Sequence, residues 1–204
     1  MGAYYFLMAQ LPSLVYEQGL PMSSAAFKSL ARELMSAGDA KLLDFCTLDP
    51  EPLYDTRGET QSAAADKTKA AYSEPAKETS SAFINRWKEW ERALRLNLAR
   101  GRAQKLKREL HDAPVFPETA VAAAKTAMAI DSPLEAEIFL DNARWNAISS
   151  FAGFDVFSES AAYAYLLKLL LMERRIAFNA EEGSIEYQGL YAAILGFPAP
   201  GEHK

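Results

Sequence analysis

Residues 83–110 read FINRWKEWERALRLNLARGRAQKLKREL, and the fold turns on them. The stretch has the pattern of one long amphipathic helix. Ser80 or Ser81 supplies a cap at its start, and Pro114 stops anything beyond His111. Its apolar residues form two stripes. Phe83, Trp87, Trp90 and Leu94 step by four, three and four residues and share one face. Leu96, Ala99, Ala103, Leu106 and Leu110 step in the same way, but Leu96 lies roughly 200° round from Leu94 at about 100° per residue. Two buried stripes imply neighbours on two sides, so this is read as a central helix.

The stretch is also basic. Arg86, Lys88, Arg92, Arg95, Arg100, Arg102, Lys105, Lys107 and Arg108 face only Glu89, Glu91 and Glu109, a net charge of +6. The whole chain carries −5, which leaves −11 for everything else. Such a rod either serves an acidic partner or pairs with the protein's own carboxylates.

A chain of 204 residues can bury roughly 70% of its unfolded surface. A pI near 5.2 argues against general nucleic-acid binding. Cys46 is the single cysteine, which rules out an intramolecular disulfide and fits a reducing compartment. One cysteine, with only His111 and His203, supports neither a thiolate cluster nor a histidine-rich metal site. The longest apolar run, 161–172, is broken by Lys168 and falls short of the ~20 residues of a membrane crossing. The start, MGAYYFLMAQLP, lacks the basic lead-in of a signal peptide, and Phe6 breaks the myristoylation pattern. A cytoplasmic protein is expected.

The expected fold is mainly α, a multi-helix bundle around the long central helix. The aromatic run 3–11 is short enough to be strand or helix, and it is read as a short strand. Helices are expected at 25–36, capped by Ser23 or Ser24, and at 40–48, with Gly38 and Asp39 between them. Residues 51–79 hold Pro52, Gly58 and Pro75 but few large aliphatics and read as a mobile linker or hairpin tip. One helical domain over 1–204 thus comprises an N-terminal part (1–50), the linker (51–80) and the central helix with a C-terminal bundle (81–204).

Beyond the central helix, 118–130 is Ala-rich and suited to close packing. Ser132, Pro133 and Glu135 form a strong start signal for a helix to about residue 150. Ser158 caps 159–178, which is apolar nearly all round, with Lys168 expected to snorkel to an edge or pair with an acid. A last helix is expected at 184–195. Residues 24–34 and 160–170 echo one another as SAAF and SAAY, each followed by leucines and a cation.

The inner stripe of the helix after Ser132 is read as Leu134, Ile138, Asp141, Trp145 and Ile148. A carboxylate on an apolar face needs a cation or donors. Arg95, Arg102 and Arg144 are the candidates for Asp141, and Asn97 poses a smaller version of the same problem. A polar clamp fixing helix register is one reading, a catalytic acid the other. No nucleophile or metal set accompanies Asp141, which favours the clamp. Phosphate-binding glycine loops and the G-x-S-x-G elbow are missing from the sequence. Trp87, Trp90 and Trp145 fall on apolar stripes and read as core instead of base-stacking platforms.

Three stretches carry a resemblance. They are YYFLMAQLPSL leading to FKSLARELMSAGDAKLLDF, the central FINRWKEWERALRLNLARGRA, and SPLEAEIFLDNARWNAI followed by FSESAAYAYLLKLLLMERR. Together, and through LR-x-NLA-x-x-RA and LE-x-E-x-x-LD-x-x-RW in particular, the chain outside 51–79 resembles an uncharacterised bacterial family encoded among components of V-type (V/A-type) rotary ATPases. That family in turn looks like a reduced relative of the C-type component of the ATPase's central stalk, an all-helical funnel that seats the rotor axle on the membrane ring. The chain is shorter than the three helical units of that funnel.

The resemblance implies a non-catalytic structural subunit or assembly factor of the central stalk. It would need no cofactor or metal and would be cytoplasmic or peripheral at the membrane through the ATPase. Its partners would be the shaft and the membrane ring. Arg92, Arg95, Arg100, Arg102, Lys105 and Arg108 are then the candidates for gripping an acidic surface. The competing expectation is a helical adaptor that binds an acidic protein or nucleic acid through the same helix. An enzyme built around Asp141, the arginines and Trp145 ranks third.

Overall fold

The structure, a computed structural model, describes residues 4–16, 18–48, 79–108 and 113–177. Among them it has seven α-helices and no strand: α1 (Tyr5–Ala9), α2 (Ser24–Leu34), α3 (Ala37–Leu42), α4 (Ala82–Lys105), α5 (Glu118–Ala129), α6 (Pro133–Ala152) and α7 (Glu159–Ala177). A single 3-10 turn, Leu43–Phe45, follows α3. None of the described helices is long and apolar enough to cross a membrane. The linker over most of 51–80 and the expected helix at 184–195 lie outside the described residues.

α4 is the central helix, packed against α5, α6 and α7. Ser81 caps it, its hydroxyl accepting from the Ile84 N–H at 3.4 Å. Asn85 ties the entry down by donating to the Thr79 carbonyl at 2.8 Å and accepting the Thr79 N–H at 2.8 Å. The first two-thirds of α4 are buried on several sides, with Phe83, Ile84, Trp87, Trp90, Leu94, Leu96 and Leu98 all in the core. The indole N–H of Trp87 donates to the Thr47 carbonyl and that of Trp90 to the Thr119 hydroxyl, each at 2.9 Å. Both rings therefore bury their bodies without orphaning their one donor.

The second stripe was expected to continue through Leu106, but the helix ends at Lys105. Leu106 is its C-cap, 62% exposed, and Lys107 turns the chain at φ 52°. Of the described part of that stripe, Leu96 is buried and Ala99 and Ala103 are half-buried, while a different side of α4 packs along α5. The smooth α5 face of Ala120, Ala123, Ala124 and Ala127 lets the two helices approach closely. A Cβ added to Gly101 would lie 3.1 Å from Met128 Cγ.

The N-terminal run is a helix and not the expected strand. α1 forms one helical turn, with the Tyr4 N–H donating to the Phe157 carbonyl at 2.9 Å and Leu7 fully buried. A strand needs a neighbour to pair with, and the surroundings of this run are helical. The break between α2 and α3 falls at Met35 and Ser36 instead of Gly38 and Asp39. Ser36 caps α3 by accepting from the Asp39 N–H at 3.2 Å, so both residues sit in the first turn.

α2 packs against α7. The two echoing aromatics, Phe27 and Tyr163, are both fully buried, and Glu173 of α7 accepts from the Ser24 N–H and hydroxyl at 2.6 and 2.7 Å.

Candidate functional site: a buried ion ladder and a basic helix end

The expected inner stripe of α6 is rotated. Leu134 and Ile138 are 55% and 48% exposed, and the buried residues are Leu140, Asp141, Arg144, Ala147 and Ile148. Charged side chains occupy that face because they meet charges from two other helices. Glu91 of α4 is fully buried and accepts a two-pronged contact from Arg144 of α6, Nε to Oε2 at 3.0 Å and Nη2 to Oε1 at 3.1 Å. Arg144 Nη1 reaches on to Asp141 Oδ1 at 3.1 Å. That same oxygen accepts from Nη2 of Arg174 in α7, which also lies 3.8 Å from Glu137. At the other end, Arg95 Nε donates to Glu91 at 2.8 Å and its Nη2 to the Leu48 carbonyl at 2.7 Å.

The result is an alternating ladder of three arginines and three carboxylates that crosses from α4 through α6 to α7. Its formal charge is zero, which makes such a burial affordable. Burial would pull the Arg144 guanidinium down, but Glu91 and then Asp141 more than offset it, and it is held above its ordinary value. Burial pushes the Asp141 carboxyl up, and Arg174 and Arg144 only partly reverse this.

The expected clamp on Asp141 is thus present, with altered membership. Arg144 belongs to it as expected. Arg95 serves Glu91 instead, and Arg102 is exposed outside it. Glu91, Arg174 and Glu137 are the members that sequence reading missed. Glu91 did carry a signal: Trp87, Glu91, Leu94 and Leu98 step by four, three and four residues, which places it on the apolar face. Asn97 resolves separately, donating to the Ala93 and Pro114 carbonyls at 2.8 and 2.9 Å and so pinning the segment that leads into α5.

Beside Asp141 the described residues enclose a small cavity. Lying between Tyr16, Glu137, Arg174 and Arg175, it measures about 160 Å³, below the usual span of ligand sites. Cys46 is buried and its thiol is pushed up to about 12 by burial, so it makes a poor nucleophile at neutral pH. No group of three or more His, Cys, Asp or Glu placed to hold a metal occurs among the described residues.

The basic candidates divide. Arg95 belongs to the ladder, and Arg92 is half-buried. Arg100, Arg102, Lys105 and Arg108, with Lys107, are exposed at the C-terminal end of α4. Lys105 donates to the Met128 carbonyl at 2.7 Å. Among the described residues, no carboxylate lies within 4.0 Å of any of these five cations. Trp87 and Trp90 are core, stacked at 5.9 Å, whereas Trp145 is half-buried between Tyr16 and Lys168.

Comparison of the chain with protein-family models, with curated proteins and with solved structures yields no match.

Proposed function

We propose that this protein is a non-catalytic helical subunit or assembly factor of a V-type rotary ATPase. In this reading the end of α4 docks on an acidic face of the shaft or of the membrane ring. The observation that carries the reading is the separation of two sets of charges. The ladder is internally neutral and leaves no charge to recruit a partner. The cluster Arg100, Arg102, Lys105, Lys107 and Arg108 is exposed and has no carboxylate of the described fold to neutralise it.

A purely structural account exists for two of these cations, since Arg102 and Lys105 lie in the last turn, where positive charge favours the helix dipole. That account covers neither Arg100 nor the residues past the helix end. The resemblance to the ATPase-associated family supports the choice of partner. Glu137, Asp141 and Arg144 of its LE-x-E-x-x-LD-x-x-RW motif are ladder members, so that stretch works inside the fold and leaves the basic end for docking.

The test is reversal of Arg100 and Arg102 to Glu, followed by affinity purification from native cytoplasmic and membrane fractions. Both residues are exposed, so the variant should keep its helical circular dichroism. The expected outcome is that ATPase shaft or ring components copurify with the wild type and not with the variant. Unchanged copurification sinks the docking site. Recovery of nucleic acid in place of ATPase components, lost steeply as salt rises, would establish the adaptor reading instead.

A further inference from the structure

The α7 face that carries Ala161, Ala164, Tyr165 and Lys168 follows spacings of three, one and three residues, a single helical stripe. Two of the four are alanine, which leaves space between α7 and residues 8–14. The end of α6 and the turn after it close the side, giving an open cleft of about 410 Å³, within the range of small-molecule sites. Met8, Leu11, Leu14 and Val156 make its walls largely apolar.

The polar groups of the cleft are mostly committed. The Tyr165 hydroxyl donates to the Pro12 carbonyl at 2.9 Å, and that of Ser149 to the Trp145 carbonyl at 2.8 Å. Asp155 accepts the Phe157 N–H at 3.0 Å. Lys168 is different. It is half-buried, its Nζ lies 4.8 Å from the centre of the Trp145 ring, and no carboxylate among the described residues comes within 4.0 Å of it. Burial lowers the pKa of its ammonium, as expected of a cation without a counter-ion.

We propose that this cleft binds a small amphipathic monocarboxylate, its anionic head on the Lys168 ammonium and its hydrocarbon body against Met8, Leu11 and Leu14. One cation suits one negative charge, and Asp155 in the same cleft disfavours a dianion such as phosphate. The apolar walls select a hydrocarbon body over a sugar or a nucleotide. The site is independent of the basic end of α4 and of the ATPase reading. The competing account is a snorkelling lysine whose stem merely covers apolar surface, which predicts no ligand.

The test uses the full chain and sodium octanoate in titration calorimetry, with octanol as the neutral control. Lys168→Met keeps the apolar stem and removes the charge, while Ala161→Leu fills the cleft and leaves the charge. Thermal unfolding verifies that both variants fold. Expected are saturable one-to-one binding of octanoate by the wild type, at least tenfold weaker binding by either variant, and octanol binding indifferent to Lys168→Met. No saturable binding by the wild type, or octanoate affinity within twofold of wild type in Lys168→Met, overturns the proposal.

Discussion

Lys168 and Glu91 are both charges on helix faces that otherwise bury apolar side chains, and the structure treats them differently. Glu91 receives two arginines. Lys168 receives an aromatic face, and burial lowers the pKa of its amine below the ordinary 10.5. The consequence for stability has a definite sign. Between the lowered folded value and 10.5 the unfolded chain binds more protons at this position than the native one, so stability rises with pH across that window. The stability of the wild type relative to Lys168→Met should therefore climb as pH increases through the folded value toward 10.5, and be flat below it. Urea unfolding of the two proteins side by side measures this, and the titrations they share cancel. A difference that stays constant with pH would mean that Lys168 is solvated as in the unfolded chain. Legibility at this scale was uneven. Asp141 stood out because its neighbours at helical spacing are apolar. Glu91 passed as one acid on a basic helix, although its own spacing placed it inside. Arg174 was not predictable from its helix, because its partners come from α6.

Between elements, the most extensive contact is that of α4 with α5, and it rests on small side chains. Ala124 of α5 is 2% exposed within the core, and Gly101 of α4 allows Met128 to within 3.1 Å of its absent Cβ. Ala124→Leu inserts three carbons where none fit. It should lower stability by about 1–3 kcal/mol through overpacking, read as a reduced urea midpoint at unchanged slope. A shift below a few tenths of a kcal/mol would mean that α5 slides freely on α4. Helix starts were the most legible elements, because a cap is a local event. Ser81, Ser132 and Ser158 each accept the N–H three residues on, at 3.4, 3.3 and 3.2 Å. The failures were of two kinds. Ser36 also caps a helix, but Gly38 drew the expected break three residues too far. In α1 the apolar run is too short for periodicity to separate strand from helix, and the choice is made by the elements around it. The rotation of α6 has a third cause. Its buried face includes Asp141 and Arg144, so a stripe chosen by hydrophobicity alone selects Leu134 and Ile138, which are half-exposed.

For the molecule as a whole, the ladder is the feature that joins helices distant in sequence. Glu91 and Arg144 lie 53 residues apart, and Asp141 and Arg174 lie 33 apart. Arg95 extends the tie to the Leu48 carbonyl, and so to the N-terminal part of the chain. Such a network specifies which helices meet, and its contribution to stability is a separate matter. Arg144→Met leaves Glu91 fully buried with Arg95 alone and should cost about 3–5 kcal/mol. Glu91→Leu strands Arg144, 5% exposed, with Asp141 as its remaining partner, and should cost a similar amount by the same reasoning. The double variant removes both charges together. Arg95 then keeps the Leu48 carbonyl and its access to solvent, and Asp141 keeps Arg174. Its stability should return to within about 1–2 kcal/mol of wild type, because a buried ion pair replaced by apolar groups is often nearly neutral. The coupling energy of the cycle, from urea unfolding of all four proteins, would then be several kcal/mol, far above the ~0.5 kcal/mol scatter of independent sites. Additive losses would instead mean that Glu91 and Arg144 stabilise the fold through separate contacts. A coupled result with native helicity would assign the pair to selecting the arrangement of α4, α6 and α7, and would leave the basic end of α4 as the charge available to a partner.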